Sequence, residues 1–244
     1  MNFGVSSMVL PLKKVALLRP GASLLEADIN KWHYSNIFNP DKVQGIYNNF
    51  VNLLTDEGVE IFWIEENTNI ADAIFTYDAS MMTKSGAILM SPGKELRKGE
   101  QNIHRNFYKH NNIPIIGEIT GKATAEAGDT LWLDDNSLIV GKGFRTNQEG
   151  VNQIKEIMKP LQVDVFQFDI PVYMGTEACL HLMSLISLVD HQKALVYSPL
   201  LPVSLFKLLE EKGFNLINAP EDEFLSSNTL STNILTISPG KCIM

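Results

Sequence analysis

Cysteine is nearly missing from this chain, with two in 244 residues. Two thiols build no disulfide framework, and they fit a reducing, cytoplasmic setting. Long apolar runs are missing as well. No stretch approaches 18 uninterrupted apolar residues, which excludes a membrane-spanning helix. The N-terminal MNFGVSSMVLPLKKV lacks the basic start and apolar core of a secretory signal. Basic residues are in deficit, 20 Lys and Arg against 28 Asp and Glu, and the net charge is −8. With no Lys/Arg cluster and no aromatic–basic stripe, a nucleic-acid surface is excluded, while the acidic field favours a small cationic partner. There is no GxGxxG turn and no P-loop, so nucleotide binding has no support. Ser/Gly-rich linkers and low-complexity tracts are absent, and residues 1–244 are expected to form a single domain. Beside Cys179 and His181 no second Cys/His pair stands at ligand spacing. That argues against structural zinc, and no metal or other cofactor is expected.

What is present is a repeated punctuation. VALLRPG (15–21), AILMSPG (87–93), ALVYSPL (194–200) and ILTISPG (234–240) are each β-rich and then stopped by a proline that cannot donate to a ladder. Between them strands and helices alternate. A helical segment around 41–57 precedes the strand 59–66, and a charged one around 94–110 precedes the strand 113–119. TLWLDDNSLIVG (130–141) reads as a hairpin with an Asp-Asp-Asn turn. An amphipathic helix over 147–161 leads to the strand 163–170. Residues 202–219 read as helix, a Gly213 cap and strand.

Polar residues set in apolar surroundings carry the chemical information, because an unpaired buried charge is costly. In ADAIFTYDAS (71–80), Asp72 and Asp78 are six apart, an even spacing that points both to one face of a strand. In AEAGDTLWL (125–133), Glu126 and Asp129 stand just before the hairpin. In CLHLMSL (179–185), His181 lies in an apolar run, two residues from Cys179 and on the same face if the segment is a strand. Each feature alone has a plain reading as turn former, cap or packed core histidine.

In order along the chain, DAIFTYD (72–78), SPGKELRKGE (91–100), EAGD (126–129), GKGFRTNQEG (141–150) and LHLMS (180–184) resemble the guanidine-modifying superfamily. The likeness is strongest to its dimethylarginine dimethylaminohydrolase branch. Arginine deiminases usually carry an aspartate where this chain has Met183. The resemblance implies an α/β fold, the five-bladed propeller of ββαβ units, with the last unit incomplete. It also implies hydrolysis of the guanidino group of arginine or an N-methylarginine to citrulline and an amine or ammonia, through a cysteine thiouronium intermediate. In that pattern Asp72 and Asp78 match the residues that bind the guanidinium, and His181 matches the general acid/base. Glu126 matches its orienting carboxylate, and Arg97 and Arg145 match the residues that bind the substrate carboxylate. Asp129 is either part of the site or a buried turn residue.

One departure is plain. The family nucleophile is a cysteine in a Gly-rich segment near the C-terminus, and neither Cys179 nor Cys242 falls at that position. We expect the chain to stop before it, with a longer parent carrying the thiol. A member that has lost catalysis and a nucleophile taken over by Cys242 or Cys179 stay open. So do amidinotransferase or deiminase chemistry, and a non-catalytic propeller that binds a ligand or partner. The expected partner is a small guanidino compound, and a homodimer is compatible with the sequence.

Overall fold

A computed structural model describes residues 3–65, 68–176 and 180–244. Its sheets follow one rule. Strands β1 (Lys14–Leu17) and β2 (Glu60–Trp63) pair in parallel across the helix Pro40–Asp56. Strands β3 (Ser80–Thr83) and β4 (Gly86–Leu89) form a hairpin, and β4 then pairs in parallel with β5 (Ile115–Glu118) across the helix Glu100–His110. The same order recurs in β6 (Thr130–Asp134), β7 (Ser137–Lys142) and β8 (Asp164–Asp169), across the helix Gln148–Met158. It recurs again in β9 (Ile186–Asp190), β10 (Lys193–Val196) and β11 (Asn215–Asn218), across the helix Val203–Glu211. Strands β12 (Leu235–Ser238) and β13 (Lys241–Ile243) form the last hairpin. Among the described residues five small sheets, three of them complete ββαβ units, give the α/β propeller expected. None of the helices among the described residues is long and apolar enough to cross a membrane.

The two ends of the chain meet. Leu12 N–H donates to Ile237 C=O at 2.7 Å. Leu54 and Val59 of the first unit pack with Ile237 of the last. The larger apolar clusters join the middle units: Ile88 and Met90 pack with Leu138 and Val140, while Leu131 and Ile139 pack with Leu182 and Ile186. β4 and most of β7 are buried on both faces, which is why they read as continuous apolar runs without alternation.

Three expectations change. Residues 71–79 are not a strand: a 3-10 turn (Ala71–Ile74) and further turns carry Asp72 and Asp78, and the strand starts only at Ser80. An even spacing has no facial meaning there. The charged segment around 94–110 is broken at Gly99, whose φ of +110° separates a 3-10 turn (Glu95–Arg97) from the helix Glu100–His110. The fourth punctuation mark also differs from the others. Pro239 and Gly240 turn the hairpin between β12 and β13, whereas the marks after β1, β4 and β10 lead toward a crossover helix. The hairpin at 130–141 is as expected, with Asp134 accepting from the Asn136 N–H at 3.0 Å to hold the turn.

Gly150 shows how tightly the third unit is built. It lies inside the helix Gln148–Met158, where glycine is intrinsically poor, and a Cβ there would stand 2.0 Å from the Thr124 carbonyl oxygen. Asn147 caps this helix through the Gly150 N–H at 2.8 Å, and its side chain also takes the Thr124 N–H at 3.1 Å. The helix start and the segment leading to Glu126 are thus stitched together. Propensity alone favours Gly150→Ala by about 1 kcal/mol, but the clash is expected to reverse the sign and cost about 2–4 kcal/mol net. Urea denaturation of the two proteins checks this, and an alanine variant as stable as the parent would refute the packing argument.

Candidate active site

In an antiparallel hairpin the start of the first strand and the end of the second lie side by side. Asp78 precedes β3, and Lys94 and Arg97 come after β4; Glu126 and Asp129 precede β6, and Arg145 comes after β7; His181 precedes β9. Residues far apart in sequence therefore converge at one end of the units.

Glu126 is the centre. It has no exposed surface, and its Oε1 accepts the Gly93 N–H at 2.9 Å and the Lys94 N–H at 3.2 Å. Arg145 Nη1 stands 3.4 Å from both of its oxygens, His181 Nε2 3.3 Å from Oε2, and Arg97 Nη1 3.9 Å from Oε2. Burial by itself pushes this carboxyl up, but His181, Arg145 and Arg97 outweigh burial and hold it at about 2.

Asp129, left open between turn and site, belongs to the geometry around His181. Its Oδ1 faces His181 Nδ1 at 3.1 Å and accepts the Leu182 N–H at 3.0 Å, while Oδ2 accepts the Thr146 hydroxyl at 2.6 Å. Thr146 Oγ1 in turn accepts the Glu126 N–H at 3.2 Å. His181 is thus held between two buried carboxylates, one at each ring nitrogen. That arrangement fixes the ring orientation and aims Nε2 toward Glu126. His181 itself is the N-cap of a 3-10 turn (Leu182–Ser184) and not a strand residue.

Asp78 takes the Gly128 N–H at 2.9 Å on Oδ1 and Arg97 Nη1 at 2.6 Å on Oδ2. Gly128 makes this approach because it has no side chain: a Cβ would lie 2.7 Å from Asp78 Oδ1 and 3.1 Å from His181 Cγ.

Two residues stand differently from expectation. The fork of Arg97, expected at a substrate carboxylate, is spent within the chain. Nε and Nη2 donate to Glu100 at 2.9 and 2.8 Å, and Nη2 also donates to the Phe75 carbonyl at 3.2 Å. Asp72 does not share a strand face with Asp78. Its carboxylate takes Lys94 Nζ at 2.7 Å and the Tyr34 hydroxyl, and Lys94 Nζ also reaches the Trp32 carbonyl at 3.2 Å. It is tied to Glu126 through Lys94, whose N–H bonds one acid and whose ammonium bonds the other.

Lys94, Glu100, Tyr34, Thr146 and Gly93 were not singled out from sequence. Only Glu100 had a readable signal, an acid three residues after Arg97. Of the cysteines, Cys179 lies outside the described residues. Cys242 is exposed on β13, with its Sγ against Thr236 Oγ1 at 3.4 Å and the Val189 carbonyl at 3.9 Å, neither of which belongs to this cluster. Among the described residues, Asp78, Glu126 and His181 could together face a metal ion, with donor atoms within 4.8 Å of one another. Arg97 and Arg145 already occupy two of those carboxylates.

The electrostatics give a stability test. Glu126 is depressed in the folded protein, from 4.5 to about 2. Its contribution is therefore full above the unfolded value and lost as pH falls from about 4.5 toward 2. Glu126→Gln is expected to destabilise by about 3 kcal/mol near neutrality, and that gap should close progressively below pH 4.5. Denaturation of both proteins from pH 7 to pH 2.5 reads this, and a gap independent of pH would contradict it.

Comparison with known proteins agrees with the geometry. Dimethylarginine dimethylaminohydrolase of Pseudomonas aeruginosa is 26% identical over 210 residues, covering 84% of this chain and 77% of the relative. The solved structure of a P. aeruginosa dimethylarginine dimethylaminohydrolase variant with citrulline matches with a TM-score of 0.73 at 22% identity, covering 95% of this chain and 82% of that one. The N-terminal domain of a cyanobacterial arginine dihydrolase bound to substrate matches with a TM-score of 0.77 at 18% identity, covering 92% and 80%. The arginine deiminase family model matches residues 68–203. That span is more than half of the sequence and holds every acid, base and histidine of the cluster, and the chain belongs to the arginine deiminase family, within the guanidine-modifying superfamily.

Proposed function

We propose that this site binds the guanidinium of arginine or an N-methylated arginine and supports its hydrolysis to citrulline. The observation that carries the reading is the placing of Glu126 and Asp129 at the two ring nitrogens of His181, with Asp78 within 4.8 Å of the Glu126–His181 pair, Arg145 on Glu126, and Glu126 held ionised. A guanidinium is planar, permanently charged and a poor electrophile, so carboxylates must hold it flat. Asp78, which keeps some exposed surface, offers one such carboxylate, while the fully buried Glu126 holds His181 and Arg145 beside it, and in this reading Arg145 takes the ligand's α-carboxylate.

In this reading a cysteine thiolate adds to the guanidinium carbon. The C–N bond to the leaving amine breaks as His181 delivers the proton, which leaves a thiouronium. Water, deprotonated by His181, then adds to the same carbon; the C–S bond breaks, and citrulline and the thiolate are released. In this reading the thiolate is not that of Cys242, whose sulfur stands against Thr236 and the Val189 carbonyl, outside the cluster. A non-catalytic propeller that binds a ligand is the second reading, favoured by the contacts of Cys242 with Thr236 and Val189 in place of the cluster.

Both readings require ligand binding by residues 1–244. L-arginine or an N-methylarginine at a hundredfold excess over Kd is expected to raise the melting temperature by about 5–10 °C, and Asp78→Asn should abolish the shift. Absence of any shift with arginine, its methylated forms and citrulline would sink both. If a C-terminally extended chain with a cysteine releases citrulline, and its His181→Gln variant does not, hydrolysis is chosen over binding alone.

A further inference from the structure

Arg97 is an odd neighbour for a site that binds a guanidinium, because it is a guanidinium facing the same acids. It is 4% exposed, with Nη1 2.6 Å from Asp78 Oδ2 and 3.9 Å from Glu126 Oε2. Uncompensated, its charge would cancel one carboxylate and repel a cationic ligand from both.

Glu100 resolves the conflict. Its carboxylate, 1% exposed, takes the far edge of the Arg97 fork in a bidentate pair, Nε to Oε1 at 2.9 Å and Nη2 to Oε2 at 2.8 Å. The break at Gly99 makes this fit, since it starts a new helix with Glu100 three residues after Arg97. The outer layer of the cluster has a different make-up: Asp78, Arg145 and His181 keep 14%, 12% and 12% of their side-chain surface exposed. A ligand thus meets Asp78, while the Arg97–Glu100 pair lies behind it.

Building on the guanidino-binding reading, we propose that Glu100 is a positioning residue that sets the charge preference of the site. By taking the fork of Arg97 it neutralises that internal guanidinium, so that Asp78, the part-exposed acid of the cluster, faces a ligand as a net anion. Glu100 acts through Arg97 and does not touch the ligand. Its signature is electrostatic: it distinguishes arginine from citrulline, which replaces the cationic guanidinium with a neutral ureido group of nearly the same shape.

The test is calorimetric titration of the parent and of Glu100→Gln with L-arginine and L-citrulline at pH 8. That pH lies above the value of about 7 to which burial, opposed by Arg97, pushes the Glu100 carboxyl. Glutamine keeps the size and one acceptor and removes the charge. The variant is expected to bind arginine at least about tenfold more weakly while citrulline changes by less than about threefold. Equal losses for both ligands would make Glu100 merely structural and overturn the proposal, as would an unchanged ratio. A parent that binds neither ligand would overturn the guanidino reading itself, and this proposal with it. If Glu100→Gln does not fold, the paired change Arg97→Met with Glu100→Leu removes both charges and is expected to keep the parent's preference for arginine. Loss of that preference in the paired variant would also refute the proposal.

Discussion

A fully buried carboxylate organises this protein. Glu126 has no contact with water, and an isolated charge in such a place would cost several kcal/mol. The fold gathers partners around it: backbone N–H groups of Gly93 and Lys94 from the second unit, Arg145 from the end of β7, and His181 from the approach to the fourth unit. Three ββαβ units thus share one charge. Removing any of them would leave Glu126 short of a partner, so the repeat and the cluster support each other.

The rest of the cluster is built outward from that acid. Asp129 shares His181 with Glu126 and is joined to it through Thr146, so the two acids and the ring form one hydrogen-bonded frame. Asp78 enters through Gly128, where the missing side chain lets the backbone approach. An excess of acids could not be buried together without internal cations, and the chain supplies Arg97 for Asp78 and Glu100, and Lys94 for Asp72. The acidic balance of the composition therefore takes a local form here, with acids directed inward and the cations distributed among them.

Much of the fold was legible because it depends on local chemistry. The hairpin at 130–141 needed only apolar runs around Asp135 and Asn136, and Gly213 marked a helix end that the structure shows with φ at +75°. Where the reading failed, local pattern had no authority. Asp72 and Asp78 looked like neighbours on a strand, but Asp72 sits in a 3-10 turn and Asp78 in the turns after it, and Lys94 and Tyr34 claim Asp72. ILTISPG looked like the other three marks, yet its Pro-Gly turns a hairpin, because the next element is the strand β13 and not a helix. The charged helical segment expected around 94–110 is broken at Gly99, and that break brings Glu100 to Arg97.

By itself the sequence determined the order of strands and helices, and the identity of the acids, bases and histidine that could do chemistry. Both rest on side-chain type and short-range spacing, which one chain displays directly. Tertiary structure alone decided which of those charges face each other. Asp129 became a partner of His181 and Arg97 a partner of Glu100, while Asp72 was tied to Lys94, because hairpin ends from different units meet across long stretches of chain. The energy of a buried charge depends on its immediate neighbours, and packing sets how near they stand.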